Sequence, residues 1–443
     1  MSDSRELIQI GGAADSLGAA PDGLPLRAVT LGCKVNQYET ELVREGLARV
    51  GYRDAREGES AGLCIVNTCT VTAEGDAKSR QAIRRLARDN PGTRIVVMGC
   101  YATRAPQEIA ALPGVSEVVT DKREIPDLLG RFGVIDVPTG ISGMSNHHRA
   151  FIKVQDGCLL RCSYCIIPYV RPNMSSRPLD HILDEARRLI DNGYRELVLT
   201  GIHLGHYGVE RNWNKPKSEW QRLSHLVDRL ARLPGDFRIR LSSIEATEVT
   251  RELLAAMAEH ADRVCPHLHV CLQSGSDAVL RRMRRRWSAR HFIERCQLVS
   301  RTLDRPALTT DIIVGFPGET ETDFQATLST AEAVGFSKIH VFTFSPRKGT
   351  PAAEMTDQVP ATVRNDRVDR LAELETRLRR NYWDSLRGRP LRVLIEAPGA
   401  SRPASRAGTA CRYVPVELSG PPRRCGDMVE VVPHASDANG LLA

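Results

Sequence analysis

Three cysteines lie within eight residues of the chain, in the segment DGCLLRCSYC. Cys158, Cys162 and Cys165 have the spacing CxxxCxxC and follow a short apolar run with a strand-like pattern. A loop can fold three such thiolates around one 4Fe–4S cluster, whose fourth iron is then open to a substrate. Structural zinc sites take four ligands and favour paired CxxC units, and no fourth Cys or His lies close in the sequence. The spacing therefore favours an iron–sulfur cluster over zinc.

The rest of the composition, at 42% hydrophobic and 26% charged residues, is typical of an ordinary soluble protein. There is no run of eighteen apolar residues, so we expect no contact with a membrane. Met1–Pro25 lacks the apolar core of a secretory signal, and we expect residues 1–25 to form a flexible N-terminal arm. The chain has twelve cysteines, and without an export signal we expect a reducing, cytoplasmic location where disulfides are rare. The net charge of +7 permits a polyanionic partner but does not require one.

Residues 26–140 alternate between strand-like and helical patterns. Apolar runs predict strands at Leu26–Leu31, Leu63–Val66 and Arg94–Met98, and the apolar spacing predicts helices at Tyr38–Val50 and Ala73–Arg88. Such alternation is typical of a parallel α/β (Rossmann-like) domain, in which functional residues gather just past the carboxyl ends of the strands.

Residues 141–375 contain six further strand-like runs separated by helical patterns. One helical pattern, Leu179–Ile190, stops at Gly193, and another, Glu321–Val334, stops at Gly335. Six β/α units predict a partial (β/α)6 barrel with its chemistry at the carboxyl ends of the strands. The strands are predicted at Ala150–Val154, Glu196–Thr200, Phe237–Ser242, His267–Leu272, Leu308–Val314 and Lys338–Phe344.

The last part of the chain, residues 376–443, has a different pattern. A charged helical stretch at Asp366–Leu386 leads into short β-like runs separated by Pro and Gly, at Leu391–Ile395, Tyr413–Leu418 and Met428–Val432. This pattern predicts a linker helix followed by a small all-β barrel.

A second set of three cysteines is scattered through the first domain. Cys33, Cys69 and Cys100 each follow an apolar strand-like run at its carboxyl end. Adjacent parallel strands lie about 4.8 Å apart, so three such ends can converge on one point. A single cysteine at a strand end is more often an inert small apolar residue, and spacing alone leaves both interpretations open.

The CxxxCxxC loop resembles that of the radical S-adenosylmethionine (SAM) superfamily. This resemblance implies a 4Fe–4S cluster on Cys158, Cys162 and Cys165, with a SAM molecule bound to the open iron. One electron then cleaves SAM to a 5′-deoxyadenosyl radical. Tyr164, the aromatic residue just before the third cysteine, matches a position that lies near the SAM adenine in the superfamily.

Nearly the whole chain resembles the methylthiotransferase family within that superfamily. The family carries a second 4Fe–4S cluster on three cysteines that match Cys33, Cys69 and Cys100, and its C-terminal TRAM domain is a small RNA-binding β-barrel. The resemblance therefore implies two 4Fe–4S clusters, two SAM molecules and an electron donor such as flavodoxin or ferredoxin. The matching segments are TLGCKVNQYETE, VNTCTVT, VMGCYA, LTGIHLGHYG, RLSSIE, HLHVCLQSGSD, TTDIIVGFPGET and FTFSPRKGTPA.

Within the family, GCKVN and NTCTV resemble the MtaB branch, which adds a methylthio group to carbon 2 of N6-threonylcarbamoyladenosine beside the tRNA anticodon. Branches acting on isopentenylated adenosine read like GCQMN and NTCSI, and those acting on a ribosomal-protein aspartate read like GCPKN and NTCGF. Both stay as alternatives, as does a non-catalytic iron–sulfur protein that binds RNA. The threonylcarbamoyl group is anionic, so its pocket needs polar or cationic partners. Lys34, Asn36, Asn67 and Arg171 are candidates for that role.

Two segments depart from the family pattern. The loop after the three cysteines keeps Arg171 and Arg177 but has Pro172 and Ser175 where the family has glycine and arginine. The C-terminal block also carries an insert near Ser401–Arg406.

Other residues have two interpretations each. His267 and His269 share one strand face, where lining of the barrel is favoured over a zinc site. The six arginines of Leu280–Arg290 form either a solvated helix face or a phosphate contact. The remaining thiols are interpreted as structural or incidental: Cys64, Cys265, Cys271, Cys296, Cys411 and Cys425.

Overall fold

The structure, a computed structural model, describes residues 23–145, 147–399, 405–420 and 423–443. The described residues form two compact units. The first contains 23–145 together with Cys165–Asn173, and the second contains 147–164 and the described residues from Met174 onwards. No helix in these described ranges is both long enough and apolar enough to cross a membrane.

The first unit is built on a five-stranded sheet that is parallel throughout, with the strand order β2-β1-β3-β4-β5. This confirms the predicted parallel α/β class. Its strands are β1 (Leu24–Thr30), β2 (Tyr52–Asp54), β3 (Leu63–Thr68), β4 (Arg94–Gly99) and β5 (Val115–Val118). Its helices are α1 (Lys34–Ala48), α2 (Ala73–Asp89), α3 (Cys100–Arg104), α4 (Pro106–Ala110), α5 (Ile125–Arg131) and α6 (Ile167–Val170).

Side chains along the central strands alternate between two apolar clusters. Leu63 and Ile65 of β3 pack into one apolar cluster, while Cys64 and Val66 pack into another. Side chains on a strand point alternately to opposite faces, so a continuous apolar run marks a strand covered by helices on both sides. This is why the three apolar runs could be recognised as strands from the sequence.

The start of the chain differs from the prediction at one point. Residues 1–22 of the expected flexible arm lie outside the described residues, but Leu24 and Pro25, its last positions, belong to β1. Leu24 and Pro25 pair with Tyr52 and Arg53 of β2, a short strand that the sequence pattern did not predict.

The second unit begins with a partial barrel. Seven strand segments run parallel in chain order in two four-stranded sheets, and two of them, on either side of Ser242, take the place of the third predicted strand. An isolated parallel bridge also pairs Ile239 with Val264. All six predicted strands are present, which confirms the expected (β/α)6 class. The strands are β6 (Ala150–Asp156), β7 (Ser175–Ser176), β8 (Glu196–Gly201), β9 (Arg238–Leu241), β10 (Ser243–Ile244), β11 (His267–Val270), β12 (Ala307–Val314) and β13 (Lys338–Thr343), with β7 antiparallel on the edge.

One helix of this unit has recognisable capping interactions at both of its ends. Thr320 and Asp323 form a capping box at the start of α12 (Glu321–Val334), and Gly335, in a left-handed conformation, ends it as predicted. The other helices are α7 (Leu179–Asp191), α8 (Leu223–Ala231), α9 (Arg251–Glu259), α10 (Asp277–Arg282), α11 (Ala289–Thr302) and the long α13 (Ala361–Asp384).

A six-stranded, mostly antiparallel sheet forms the C-terminal domain of this unit, as the β-like runs predicted. The strands are β14 (Leu391–Pro398), β15 (Arg406–Ala410), β16 (Pro415–Leu418), β17 (Met428–Val431), β18 (Ala435–Ser436) and β19 (Leu441–Leu442). Of the Ser401–Arg406 insert, 401–404 lie outside the described residues, and Arg406 starts β15.

The C-terminal domain packs against the amino ends of the barrel strands. Arg238, the first residue of β9, donates to the backbone carbonyls of Arg392 and Thr409 at 2.6 and 2.8 Å. Arg240 donates to the carbonyl of Cys411 at 3.0 Å. Glu196, which is completely buried, accepts hydrogen bonds from both arginines. The opposite, carboxyl ends of the strands therefore remain available for the site predicted there.

Candidate functional site

The cysteines of the first unit lie where the sequence predicted, at the ends of three adjacent parallel strands. Cys33 follows β1 and precedes α1, Cys69 follows β3, and Cys100 follows β4 and begins α3. The central position of β3 between β1 and β4 makes their carboxyl ends neighbours. Burial raises the pKa of Cys69, and negative charge on Cys100 and Cys33 raises it further, so three thiolates here need a cation to balance them.

Two glycines allow these cysteine loops to approach one another. Gly32 has a φ of +102°, and a Cβ on it would lie 3.0 Å from the Sγ of Cys69. Gly99 has a φ of +106°, and a Cβ on it would lie 2.3 Å from the carbonyl oxygen of Thr68. Residues with a side chain rarely adopt such angles. Gly32 and Gly99 thus let the loops that carry Cys33 and Cys100 lie close to the loop of Cys69, as a cluster held by three cysteines requires.

Two cations flank Cys100. The Nε of Arg171 lies 3.4 Å from its Sγ, and the Nζ of Lys122 lies 3.7 Å away. Burial raises the pKa of Cys100, but Lys122 and Arg171 outweigh burial and the net pKa is below its ordinary value. The surroundings therefore favour the thiolate, which is the form that binds iron.

Arg171 is held in place by a buried carboxylate. Its two terminal nitrogens donate to Glu39 at 2.8 and 2.9 Å, and one also donates to the Oδ1 of Asn36 at 3.0 Å. Asn36 in turn donates to the carbonyls of Leu31 and Thr68, the residues before the first two cysteine loops. This network ties the cysteine loops of the unit to one another.

The four residues proposed to line the pocket for the anionic threonylcarbamoyl group divide into two groups. Asn36, Asn67 and Arg171 do converge, but they are buried, and Asn36 and Arg171 are bonded as described above, while Asn67 donates to the carbonyl of Asn36. Lys34, next to Cys33, is exposed, and its side chain makes no hydrogen bond or ion pair with any residue that the structure describes. Lys34 is therefore the member of the group whose charge is open to a ligand.

In the second unit, Cys158 follows β6 and Cys162 lies four residues further on. Cys165 is grouped with the first unit, at the start of the segment Cys165–Asn173. The ring of Tyr164 packs edge-on against Phe316 at 6.5 Å, beside the turn Gly315–Glu319 that follows β12. Cys158, Cys162 and Tyr164 follow β6 and so lie at the carboxyl end of the barrel, where the sequence predicted the chemistry.

Cys158 and Cys162 each have a cationic hydrogen-bond donor that the sequence did not predict. The Nδ1 of His203 lies 3.8 Å from the Sγ of Cys158, and the Nη1 of Arg285 lies 3.4 Å from the Sγ of Cys162. Burial lowers the pKa of His203, but its bonds to Cys158 and Glu248 outweigh burial and raise the pKa to about 10. Both side chains can therefore donate a hydrogen bond to a thiolate sulfur.

A single turn of the backbone orients both donors. His203 binds Glu248 at 2.5 Å, and Arg285 pairs with Glu245. Glu245 and Glu248 are the two ends of a capping box around the turn Ala246–Glu248, so one rigid feature fixes both carboxylates. Hydrogen bonds to the sulfurs are one of the means by which a protein adjusts an iron–sulfur cluster. The segment RLSSIE was recognised as a family match, but its partner residues lie too far away in sequence to be identified from it.

The two histidines of β11 have different surroundings. Both rings reach the hydroxyl of Thr309, which confirms that they share a face. His267 is stacked on Tyr413 of the C-terminal domain at 4.6 Å, whereas His269 lies with Cys271 and Asp311 within ligand distance of one another. Arg177 donates to Glu185 and to the carbonyl of Lys153, so it serves the fold of its loop.

Comparison with known proteins places this geometry in a family. Residues 26–121 match the family described as "Uncharacterized protein family UPF0004", and residues 152–331 match the radical SAM superfamily. The radical SAM methyltransferase TsrM from Kitasatospora setae, solved with cobalamin and a 4Fe–4S cluster, has a TM-score of 0.53 over 75% of this chain and 77% of that chain. At 13% identity, this similarity shows the fold alone.

Curated relatives match over most of their length. Threonylcarbamoyladenosine tRNA methylthiotransferase MtaB of Bacillus subtilis is 39% identical, covering 91% of this chain and 92% of the relative. The protein of the same name from Thermotoga maritima is 38% identical over 84% of this chain and 86% of the relative. The tRNA-2-methylthio-N(6)-dimethylallyladenosine synthase of Agrobacterium fabrum is 32% identical over 94% and 96%. The chain therefore belongs to the radical SAM methylthiotransferase family.

Proposed function

We propose that this enzyme transfers a methylthio group to carbon 2 of N6-threonylcarbamoyladenosine next to the anticodon of tRNA. The observation that carries the proposal is the 38–39% identity to relatives named for this reaction, compared with 32% to a relative named for the dimethylallyl substrate. The cysteine segments GCKVN and NTCTV support the same branch.

Six cysteines would hold the cofactors. Cys158, Cys162 and Cys165 would bind the cluster that takes SAM, and Cys33, Cys69 and Cys100 would bind the second cluster. When bound, these groups supply an electron, a radical able to attack an unactivated C–H bond, and a site for the sulfur. Tyr164 would lie against the SAM adenine. The protein itself binds, orients and protects the reacting groups.

The other residues of the two sites support these roles. Arg171 and Lys122 balance the charge on Cys100, while Arg285 and His203 bond to the sulfurs of Cys162 and Cys158. Lys34 is exposed beside Cys33 and can pair with the carboxylate of the threonylcarbamoyl group. A dimethylallyl group is apolar and would gain nothing from this cation.

The proposal extends to partners and organisation. The tRNA anticodon stem-loop would be the substrate, a flavodoxin or ferredoxin would supply electrons, and the location would be the cytoplasm. The functional domains would be 26–140 for the second cluster, 141–375 for the radical step and 376–443 for the linker helix and the TRAM-like domain.

The test is mass spectrometry of tRNA nucleosides from a strain that lacks the gene. We expect loss of the methylthio derivative of N6-threonylcarbamoyladenosine and accumulation of its precursor, with recovery when the gene is restored. Loss of the methylthio derivative of the isopentenylated nucleoside instead would contradict the substrate assignment. Unchanged tRNA would contradict a role in tRNA modification.

A further inference from the structure

The segment that joins β8 to α8 contains an unusual set of residues. Its sequence from 209 to 222, VERNWNKPKSEWQR, holds two of the four tryptophans of the chain and four Arg or Lys residues. Because it follows the carboxyl end of β8, it lies at the same end of the barrel as Cys158. We call it the Trp213 loop.

The Trp213 loop is held in one conformation by its own hydrogen bonds. The side-chain amide of Asn212 bonds to both the N–H and the carbonyl of Gln221, each at 2.8 Å, and so ties the two ends together. The indole N–H of Trp220 donates to the carbonyl of Lys215 at 3.0 Å, and Arg222 lies over the Trp220 ring at 5.1 Å. A binding surface ordered in this way loses little conformational entropy when it is used.

A cavity of about 330 Å³ lies against the loop. Four of its fourteen lining residues are aromatic: Trp213 and Trp220 of the loop, and His206 and Tyr207 just before it. Trp213 is 71% exposed, so its ring is offered to solvent instead of being buried in the fold. His206 is stacked on His203 at 3.6 Å, and His203 contacts Cys158. The cavity is thus two side chains away from a proposed cluster ligand.

Exposed cations lie near this cavity, and the carboxylate among its lining residues, Glu248, is bonded to His203. Lys215 and Lys217 of the loop are exposed, as are Arg284 and Arg286, which line a small cleft on the other side of His206. None of these four side chains makes a hydrogen bond or ion pair with another residue in the described ranges. By contrast, Arg222 is paired with Glu252, and Arg285 with Glu245. Exposed cations beside an exposed aromatic ring are the combination that single-stranded RNA requires, for its phosphates and bases respectively.

We infer that the Trp213 loop binds an unpaired nucleobase that flanks the target adenosine, stacked on Trp213, while Arg284 and Arg286 contact the adjoining phosphates. The inference rests on the proposed tRNA substrate and names how that RNA is held. The C-terminal domain lies at the amino ends of the barrel strands, so RNA at the carboxyl ends needs a contact there. An enzyme that acts on one base must remove it from its stack, and a stacking platform for a neighbour compensates for that cost.

Equilibrium binding of a labelled anticodon stem-loop to the full-length protein tests this. Stacking on an aromatic residue contributes about 1–3 kcal/mol per base, so Trp213→Ala should weaken binding roughly fivefold to a hundredfold, and Trp213→Phe should restore most of it. Val363→Ala, an exposed apolar residue on α13, is the matched control and should bind as the wild type does. Arg284→Gln with Arg286→Gln should reduce the dependence of log Kd on log salt by about one to two.

A second set of RNAs identifies the stacked base. Stem-loops made abasic on the 5′ or the 3′ side of the target should bind the wild type weakly at one of the two positions. At that position the abasic RNA should bind Trp213→Ala no more weakly than the intact RNA does, because the shared contact is already lost.

Equal abasic penalties in wild type and Trp213→Ala at both positions would overturn the inference, as would unchanged affinity of Trp213→Ala for the intact RNA. Failure of the proposed function is distinguishable, since wild type and Val363→Ala would then both fail to bind the intact stem-loop.

Discussion

Arg171 and Cys100 are in contact, although 71 positions separate them in the sequence. The guanidinium group of Arg171, which contacts the Sγ of Cys100, also donates hydrogen bonds to both carboxylate oxygens of Glu39. Arg171, which follows the CxxxCxxC loop in sequence, therefore contacts Cys100, a cysteine of the other set.

Replacing Arg171 should affect both stability and iron content. Arg171→Met takes from the buried Glu39 the partner that bonds both of its oxygens, although Lys122 still lies 3.9 Å away, and it removes a cation beside Cys100. Breaking such a buried pair costs about 3–5 kcal/mol. We expect a lower melting temperature and fewer iron atoms per chain after anaerobic reconstitution. Arg171→Lys keeps the charge but not the planar fork and should be intermediate.

The double variant Arg171→Met with Glu39→Met separates the two effects. It removes the buried carboxylate that had lost Arg171, so the melting temperature should recover, while the iron content should stay low. Full recovery of both properties would show that Arg171 matters for folding alone.

Replacing one cysteine of each set should have different effects on catalysis. Wild type should hold about eight iron atoms per chain, and Cys162→Ala or Cys69→Ala about four. Cys162→Ala should abolish formation of 5′-deoxyadenosine, whereas Cys69→Ala should retain it and make no methylthiolated RNA. Cys296→Ala, a buried thiol outside both sets, is the control and should keep eight. If Cys69→Ala, while still folded, made no 5′-deoxyadenosine, the division of labour would be wrong.

Lys34 should matter for the threonylcarbamoyl group and little for RNA in general. A hydrogen bond to a charged group contributes about 1.5–3 kcal/mol, so Lys34→Gln should lower kcat/KM for the modified stem-loop roughly tenfold to a hundredfold. Binding of the same stem-loop with unmodified adenosine should change little. Lys78→Gln, an exposed lysine of the same unit, serves as the control. An equal loss for both RNAs would assign Lys34 to phosphate binding instead.

Glu196 should stabilise the second unit in a pH-dependent manner. Burial alone would raise its pKa, but Arg238, Arg240 and Arg149 outweigh burial and lower the pKa below its ordinary value. A carboxylate with a depressed pKa contributes stability above its unfolded pKa of about 4.3, and that stability is lost as the pH falls towards the folded pKa.

Glu196→Gln should therefore lower the melting temperature clearly at pH 7, and the difference from wild type should shrink as the pH falls below about 4.3. Glu332→Gln, which removes an exposed ion pair with Arg377, should change the melting temperature little at either pH. A difference for Glu196→Gln that is the same at pH 7 and at acid pH would contradict this account.

The sequence predicted those features that depend on neighbouring residues. The apolar runs located the central strands, Gly335 marked a helix end, and the cysteines at strand ends were found because parallel strands place their ends together. The pairing of Arg171 with Glu39 could not be predicted, since 132 positions separate them. The strands β2 and β15 were not predicted either, because their sequences, YRD and RAGTA, contain no apolar run. The packing of the C-terminal domain on the barrel depends on Arg238 and Arg240 bonding to backbone carbonyls, for which no sequence signal exists.

The most direct test of the central claim uses two anticodon stem-loops in one reaction, one bearing N6-threonylcarbamoyladenosine and the other the isopentenylated base. The reconstituted enzyme is given SAM, a sulfur source and a reductant, and both RNAs are analysed by mass spectrometry. We predict that the threonylcarbamoyl RNA gains one CH2S unit, as methylthio replaces hydrogen at carbon 2, and that the isopentenylated RNA stays unchanged. Methylthiolation of the isopentenylated RNA with the other untouched would contradict the account.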